Sequence, residues 1–135
     1  LAKGHPIDTL GYIADRNKVA AILASADVSL APGPLETFCL AALESLASGT
    51  PVVTSNSNAV GEFLIQGLKD PAGATAHDNY GSITDAIERV IRKEKIRLRA
   101  REVAEEMTWD NTVSRMLEIH GIQKVHNSLD LPKAS

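Results

Sequence analysis

The sequence predicts an α/β domain, a mostly parallel sheet with helices packed on its faces, and three observations lead there. Short β-prone runs alternate along the chain with helical stretches of about 8 to 15 residues, the rhythm of βαβ units. Apolar residues make up 44% of the chain but aromatics only 4%, so the core has to come from Ala, Val, Ile and Leu rather than from the rings of a β-sandwich. At 135 residues there is material for one core and not for two.

Taken in order, residues Ile7–Ile13 are β-prone and end around Gly11, and they read as a strand. Asp15 then caps a helix whose apolar positions Val19, Ile22 and Leu23 recur at i, i+3, i+4. Asp27–Ala31 is a second short strand, closed by Pro32, Gly33 and Pro34, which stop pairing and force a loop. A helix follows with Phe38, Leu40, Ala41, Leu43, Leu46 and Ala47 as its apolar positions, and Gly49 sits at its C′ end. Pro51–Thr54 opens a buried strand, Ser55–Asn58 is a polar turn, Val60–Ile65 is a short helix, and Ala72–Ala76 is a weak strand. Asp78 precedes a helix with Ile83, Ala86, Ile87, Val90 and Ile91 on one face, and further helical patterns run from about Ile96 to His120. Beyond Gly121 the helical period is lost and Pro132 intervenes, so the expected division is a domain over 1–121 and a surface arm or disordered tail over 122–135.

Charge and composition narrow the function classes. Fourteen Lys and Arg against seventeen Asp and Glu give a net charge of −3, a poor balance for a nucleic-acid partner held by counterion release. The single cysteine excludes an intramolecular disulfide and a thiolate zinc cluster. The four histidines, His5, His77, His120 and His126, show no metal-ligand spacing, so no metal site is expected. No apolar run reaches the roughly eighteen residues of a membrane span and no signal peptide is visible, which points to a cytoplasmic location. Seven basic residues, Arg89, Arg92, Lys93, Lys95, Arg97, Arg99 and Arg101, crowd into thirteen positions. They read first as a solvated helix surface, and second as a patch facing anionic lipid at the inner face of a membrane or a partner domain.

The informative stretch runs from Ala31 to Val53 and is physically strand, tight loop, helix, strand. In an open parallel sheet, ligands sit at the carboxyl ends of strands, and the first-turn amides of the following helix attract anions. Glu36 at that position is out of place beside a phosphate but suits the hydroxyls of a sugar. Glu44 follows eight residues later, about 80° round and about 12 Å along a regular helix, so the two carboxylates would touch different parts of an extended ligand.

This stretch resembles the Glu-x7-Glu signature of retaining glycosyltransferases of the two-domain GT-B fold, specifically glycosyltransferase family 4. That family's Pro-Ser-x-x-Glu-Gly-Phe-Gly-Leu-x-x-x-Glu-Ala-Met-Ala-x-Gly-x-Pro-Val-Val is matched in register by Pro32 through Val53, and the likeness extends from about Ile7 to His120, with Thr108-Trp109 at the approach to the last helices. The resemblance implies a Rossmann-like donor-binding domain and a hexosyltransferase. It gives Glu36 the donor-sugar hydroxyls as the catalytic glutamate, places Gly33, Thr37 and the main-chain amides of Phe38, Cys39 and Leu40 at the donor diphosphate and sugar, and gives Glu44 the ribose hydroxyls. Ile13, Asp15 and Lys18 match the loop against which the nucleobase packs, and similar mannosyltransferases make GDP-mannose the expected donor. Thr37 and Cys39 depart from the family pattern, which has glycine at both places.

The resemblance also implies what to expect around this stretch. Only six residues precede Ile7, so the first β-α unit, with an Arg and a Lys that neutralise the diphosphate, and an N-terminal acceptor domain are expected elsewhere; the 135 residues alone are expected to be catalytically silent. No covalent nucleophile is evident, and front-face attack with retention is the expected route. The donor is a substrate and no cofactor is expected; the acceptor is left open. Two alternatives are a sugar-nucleotide epimerase of the same architecture, and a non-catalytic nucleotide-binding module that works with another chain.

Overall fold

The computed structural model describes residues 6–33, 36–65, 71–77 and 79–122. Nine elements follow one another: α1 (Arg16–Ser25), β1 (Ser29–Ala31), α2 (Leu40–Ala47), β2 (Val52–Ser55), α3 (Val60–Ile65), β3 (Gly73–Ala76), α4 (Tyr80–Ile91), α5 (Ile96–Glu106) and α6 (Trp109–Ile119). Contacts divide the chain into two compact units, residues 1–105 and 106–135. In the second unit, α6 starts on Thr108, whose side chain accepts the Asn111 amide. The tail expected over 122–135 falls, from 123 onward, outside the described residues.

The three strands form one parallel sheet in the order β1-β2-β3. Parallel neighbours need a crossover, and α2 and α3 supply the two. β2 lies in the middle and is buried along its whole length, which explains why Pro51–Thr54 reads as an unbroken run of strand formers. Pairing Ser29 with Val52 and Thr54 with Thr75 puts these residues on one face. There α2 and α3 pack: the Ser45 hydroxyl donates to that of Ser29 at 3.0 Å, and Gly61 of α3 lies so close that a Cβ would come within 2.8 Å of the Thr75 methyl. The other face carries Val53 and Ala76, packed with Ala86 and Val90 of α4 and Ile96 of α5. Gly73 pins the register, because a Cβ there would fall 2.0 Å from the Val52 carbonyl oxygen.

Helix ends explain much of the local folding. Asp15 caps α1 by accepting the amides of Asn17 (2.9 Å) and Lys18 (3.3 Å). α2 closes in a Schellman motif, with Gly49 at φ 76° and the bonds Gly49 N to Leu46 O and Thr50 N to Ser45 O. The buried Thr50 then turns its hydroxyl to the Leu23 carbonyl at 2.6 Å, so one residue ends both α2 and α1. Arg97 of α5 completes the C-terminus of α1, donating to the carbonyls of Ala26 (2.7 Å) and Ala24.

Three expectations are corrected. Residues Ile7–Ile13 are irregular, not a strand: the sheet ends at β1, no described strand pairs with them, and Ile7, Leu10 and Tyr12 are exposed. The second strand is shorter than expected, beginning at Ser29 and not Asp27. The helix after it begins at Leu40, so Phe38 belongs to the loop. Asp78, expected as a helix or strand end, lies outside the described residues, and the cap of α4 is Asn79, which accepts the Ser82 amide at 2.9 Å.

Candidate functional site

The segment from Pro32 to Cys39 leaves the carboxyl end of β1 and leads into α2. Its last residue, Cys39, is in the left-handed region at φ 56°, ψ 78° and makes no side-chain cap bond. That conformation is the one glycine adopts without cost, which accounts physically for the glycine of the resembling pattern at this place. The amides of Ala42 and Leu43 return to the Cys39 carbonyl, so the helix's own ladder starts there. The amides of Leu40 and Ala41 lie ahead of it, at the positive end of the helix dipole.

Glu36 does not belong to that helix. The helical relation expected between Glu36 and Glu44 therefore fails: Glu36 stands on the loop, four residues before α2, and only Glu44 is on the helix. Glu36 is exposed, its main-chain oxygen accepts the Ala59 amide at 3.4 Å, and its carboxylate lies over Gly33, where a Cβ would sit 3.5 Å from Oε1. It also faces the Cys39 thiol. Burial pushes that thiol above its usual range, the hydrogen bond to Glu36 and its charge push the same way, and the amides of Ala42 and Ala41 oppose them. A thiol held neutral is no nucleophile. Thr37 is exposed; the Phe38 ring turns inward and meets Phe63 edge-on, centroids 5.7 Å apart, so only its main chain is left for a ligand. Leu40 projects outward.

Glu44, exposed on α2, opens onto a cleft of ≈ 480 Å³ between α2 and the start of α1. Tyr12, Ile13, Ala14, Arg16, Leu23 and Ser48 line it together with Glu44. The structure thus brings together Glu44 and Ile13, which sequence analysis assigned to ribose and base. Asp15 and Lys18 are not in the lining; Asp15 caps α1, using Oδ1 for both amides. Tyr12, Arg16 and Ser48 were missed. The signal was present, since Ser48 follows Glu44 by one helical turn and Tyr12 and Arg16 lie within the expected base loop, beside Ile13 and Asp15.

His77 interacts through Nδ1 with the Asn56 side chain at 3.1 Å, and His120 caps α6 through its backbone, while His5 and His126 lie outside the described residues. Among the described residues, no group of three or more His, Cys, Asp or Glu is gathered to hold a metal, and no helix is long and apolar enough to cross a membrane.

Comparison with known proteins gives the following likenesses. Residues 2–107 match the family described as glycosyl transferases group 1. Over 126 residues, the chain is 47% identical to the GDP-mannose-dependent alpha-(1-6)-phosphatidylinositol dimannoside mannosyltransferase of Mycobacterium tuberculosis, covering 92% of this chain and 32% of that protein. It is 30% identical over 122 residues to the D-inositol 3-phosphate glycosyltransferase of Jonesia denitrificans, covering 87% of this chain and 28% of that protein. Over 47 residues it is 49% identical to the MMP alpha-(1->4)-mannosyltransferase of Mycolicibacterium hassiacum, covering 35% of this chain and 11% of that protein. The chain spans about a third of the length of the first of these relatives.

Proposed function

Because the chain belongs to the glycosyl transferases group 1 family, we propose that it forms the donor-binding part of a retaining mannosyltransferase that uses GDP-mannose. The observation that carries this reading is the arrangement of one cleft and one loop around α2, with Glu44 and Ile13 both in the lining of the cleft and Glu36 on the loop ahead of the helix N-terminus. The choice of guanine and mannose follows the GDP-mannose-dependent relative.

In this reading the nucleoside lies in the cleft. Glu44 accepts hydrogen bonds from the ribose hydroxyls, Ile13 packs on the base, and Asp15 and Lys18, which stand outside the cleft lining, meet the base edge where it projects toward the head of α1; the cap uses only Oδ1 of Asp15, so Oδ2 can serve the base. The diphosphate comes to the first-turn amides, with Gly33, Thr37 and the main chain of Phe38, Cys39 and Leu40 around it and the sugar. Glu36 holds the mannose hydroxyls. The bond from the anomeric carbon to the phosphate oxygen breaks, the acceptor hydroxyl attacks from the same face, and its proton passes to the departing phosphate. Negative charge that develops on that phosphate is met by oriented amides, an electrostatic contribution that needs no reorganisation. The acceptor is a hydroxyl compound contacted mainly by another domain. Work at the inner face of a membrane fits the lipid named in the first relative. The relatives cited are transferases, and no observation favours the epimerase or the non-catalytic module.

The test uses the full-length protein, with GDP-mannose and UDP-glucose as donors and nucleotide release followed with and without a hydroxyl acceptor. Acceptor-dependent GDP release supports the proposal; an epimer formed without acceptor overturns it. Glu44→Gln should weaken GDP binding about tenfold or more, the value of a charge-assisted hydrogen bond, and unchanged affinity removes Glu44 from the ribose. Asp15→Asn keeps the cap acceptor and removes the charge, so an unaltered preference for GDP over UDP would leave Asp15 with capping alone.

A further inference from the structure

The turn between β2 and α3 reads in the sequence as a polar connection, yet Asn58 within it is only 3% exposed. Its carboxamide is divided between two tasks. Oδ1 accepts the Val60 amide at 3.1 Å, at the start of α3, and Nδ2 donates to the Gly33 carbonyl at 3.4 Å, on the loop that carries Glu36. One residue on, the Ala59 amide donates to the Glu36 carbonyl at 3.4 Å. One helical turn into α3, Phe63 meets Phe38 edge-on. The loop is therefore tied to the head of α3 at three successive points, on both sides of Glu36.

We infer that Asn58 is a positioning residue, a latch that fixes where the Glu36 carboxylate stands relative to the donor sugar. The inference rests on the reading that Glu36 faces the sugar. A carboxamide is suited to the task because it carries a donor and an acceptor at once. Each tie is long for an N–H···O bond and weak alone. Their effect is geometric: Gly33 and Glu36 are held by neighbouring residues of one turn, so neither can shift away from α3 without breaking its tie. The Glu36 side chain is exposed, so where its carboxylate stands depends on where the loop's main chain is held.

Two substitutions separate the latch from the turn. Asn58→Ser keeps a short acceptor for the Val60 amide but cannot reach Gly33. Asn58→Asp keeps Oδ1 and sets a carboxylate oxygen against the Gly33 carbonyl, acceptor against acceptor; when protonated it donates there again. In the full-length protein, with circular dichroism to check folding, Asn58→Ser should lower kcat/KM for GDP-mannose about tenfold, the order expected for a misplaced contact group. Affinity for GDP should fall by less than kcat/KM does, because the nucleoside is held in the Glu44 cleft and only the diphosphate meets this loop. Asn58→Asp should show the same loss at pH 8.5 and recover toward the wild type at pH 5.5. Each value is taken relative to the wild type at that pH, so that the ionisable groups common to both proteins, Glu36 and Cys39 on the loop, Glu62 on α3 and His77 beside Asn56, weigh on both alike.

Unchanged kcat/KM in Asn58→Ser overturns the latch, and so does an equal loss of GDP and GDP-mannose recognition, which is not a loss specific to the sugar. Glu36→Gln tells the two readings apart. If it leaves GDP-mannose turnover intact, the sugar-facing role of Glu36 falls and the latch with it; if it impairs turnover while Asn58→Ser does not, only the latch falls.

Discussion

Cys39 holds a backbone conformation that costs an L-residue roughly 1–2 kcal/mol, and it does so at the residue that launches α2. Cys39→Gly removes that strain and gives back part of it as unfolded-chain entropy. The net expectation is a gain of about 0.5–1 kcal/mol, read from the urea midpoint at constant m-value. The thiol makes a second expectation at this position. Its folded pKa is raised, chiefly by burial, above the ordinary 9.0. The unfolded chain then gives up the proton first, so the contribution to stability is complete below pH 9.0 and is lost as pH climbs through the higher folded value. Urea midpoints between pH 8 and 10.5 should fall more steeply for the wild type than for Cys39→Ala, and parallel curves would contradict this. The sequence made Cys39 visible as a departure from a glycine pattern. The backbone angle behind that pattern was not visible, because a dihedral is set by where the strand before and the helix after must lie.

At the scale of elements, α1 is held by its ends. It contributes no fully buried side chain, and its last carbonyls are taken by Thr50 and by the Arg97 guanidinium. Arg97→Ala should cost about 1 kcal/mol in urea unfolding, the value of a partly screened charged hydrogen bond. Arg97→Lys should recover only part of it, since a single ammonium does not match a planar fork across two carbonyls; full recovery would show that charge alone matters. In the sequence Arg97 was one of seven crowded cations. Three of these, Arg92, Arg99 and Arg101, pair with Glu88, Glu102 and Glu105 at helical spacing, which a sequence displays. The partner of Arg97 is 71 residues away, which it does not. Helices α2 to α5 were legible because apolar period and caps are local quantities. The strand expected over Ile7–Ile13 was not, since β-propensity forms a strand only where a neighbour accepts its hydrogen bonds.

For the whole molecule, the alternation of strands and helices was enough to give a parallel sheet, and the run from Pro32 to Val53 was enough to find the loop and the helix that bear both glutamates. What escaped was the meeting of α1 and α2, with Tyr12, Arg16 and Ser48 in one cleft, because no local pattern encodes it. A ligand in that cleft binds only the folded state. GDP at about a hundred times its Kd should therefore stabilise the wild-type protein by about 2.7 kcal/mol against urea. Glu44→Gln at the same GDP concentration should keep well under half of that, and equal protection of the two proteins would place GDP elsewhere.

The two walls of the cleft share a vertex. Thr50 ends α2 with its amide and α1 with its hydroxyl, and its partner Leu23 is one of the lining residues. The angle between the two helices that line the cleft is thus set in part at one buried residue. A change of a few degrees at that vertex would be multiplied along the length of α1, so the width of the cleft would answer to a residue outside its lining.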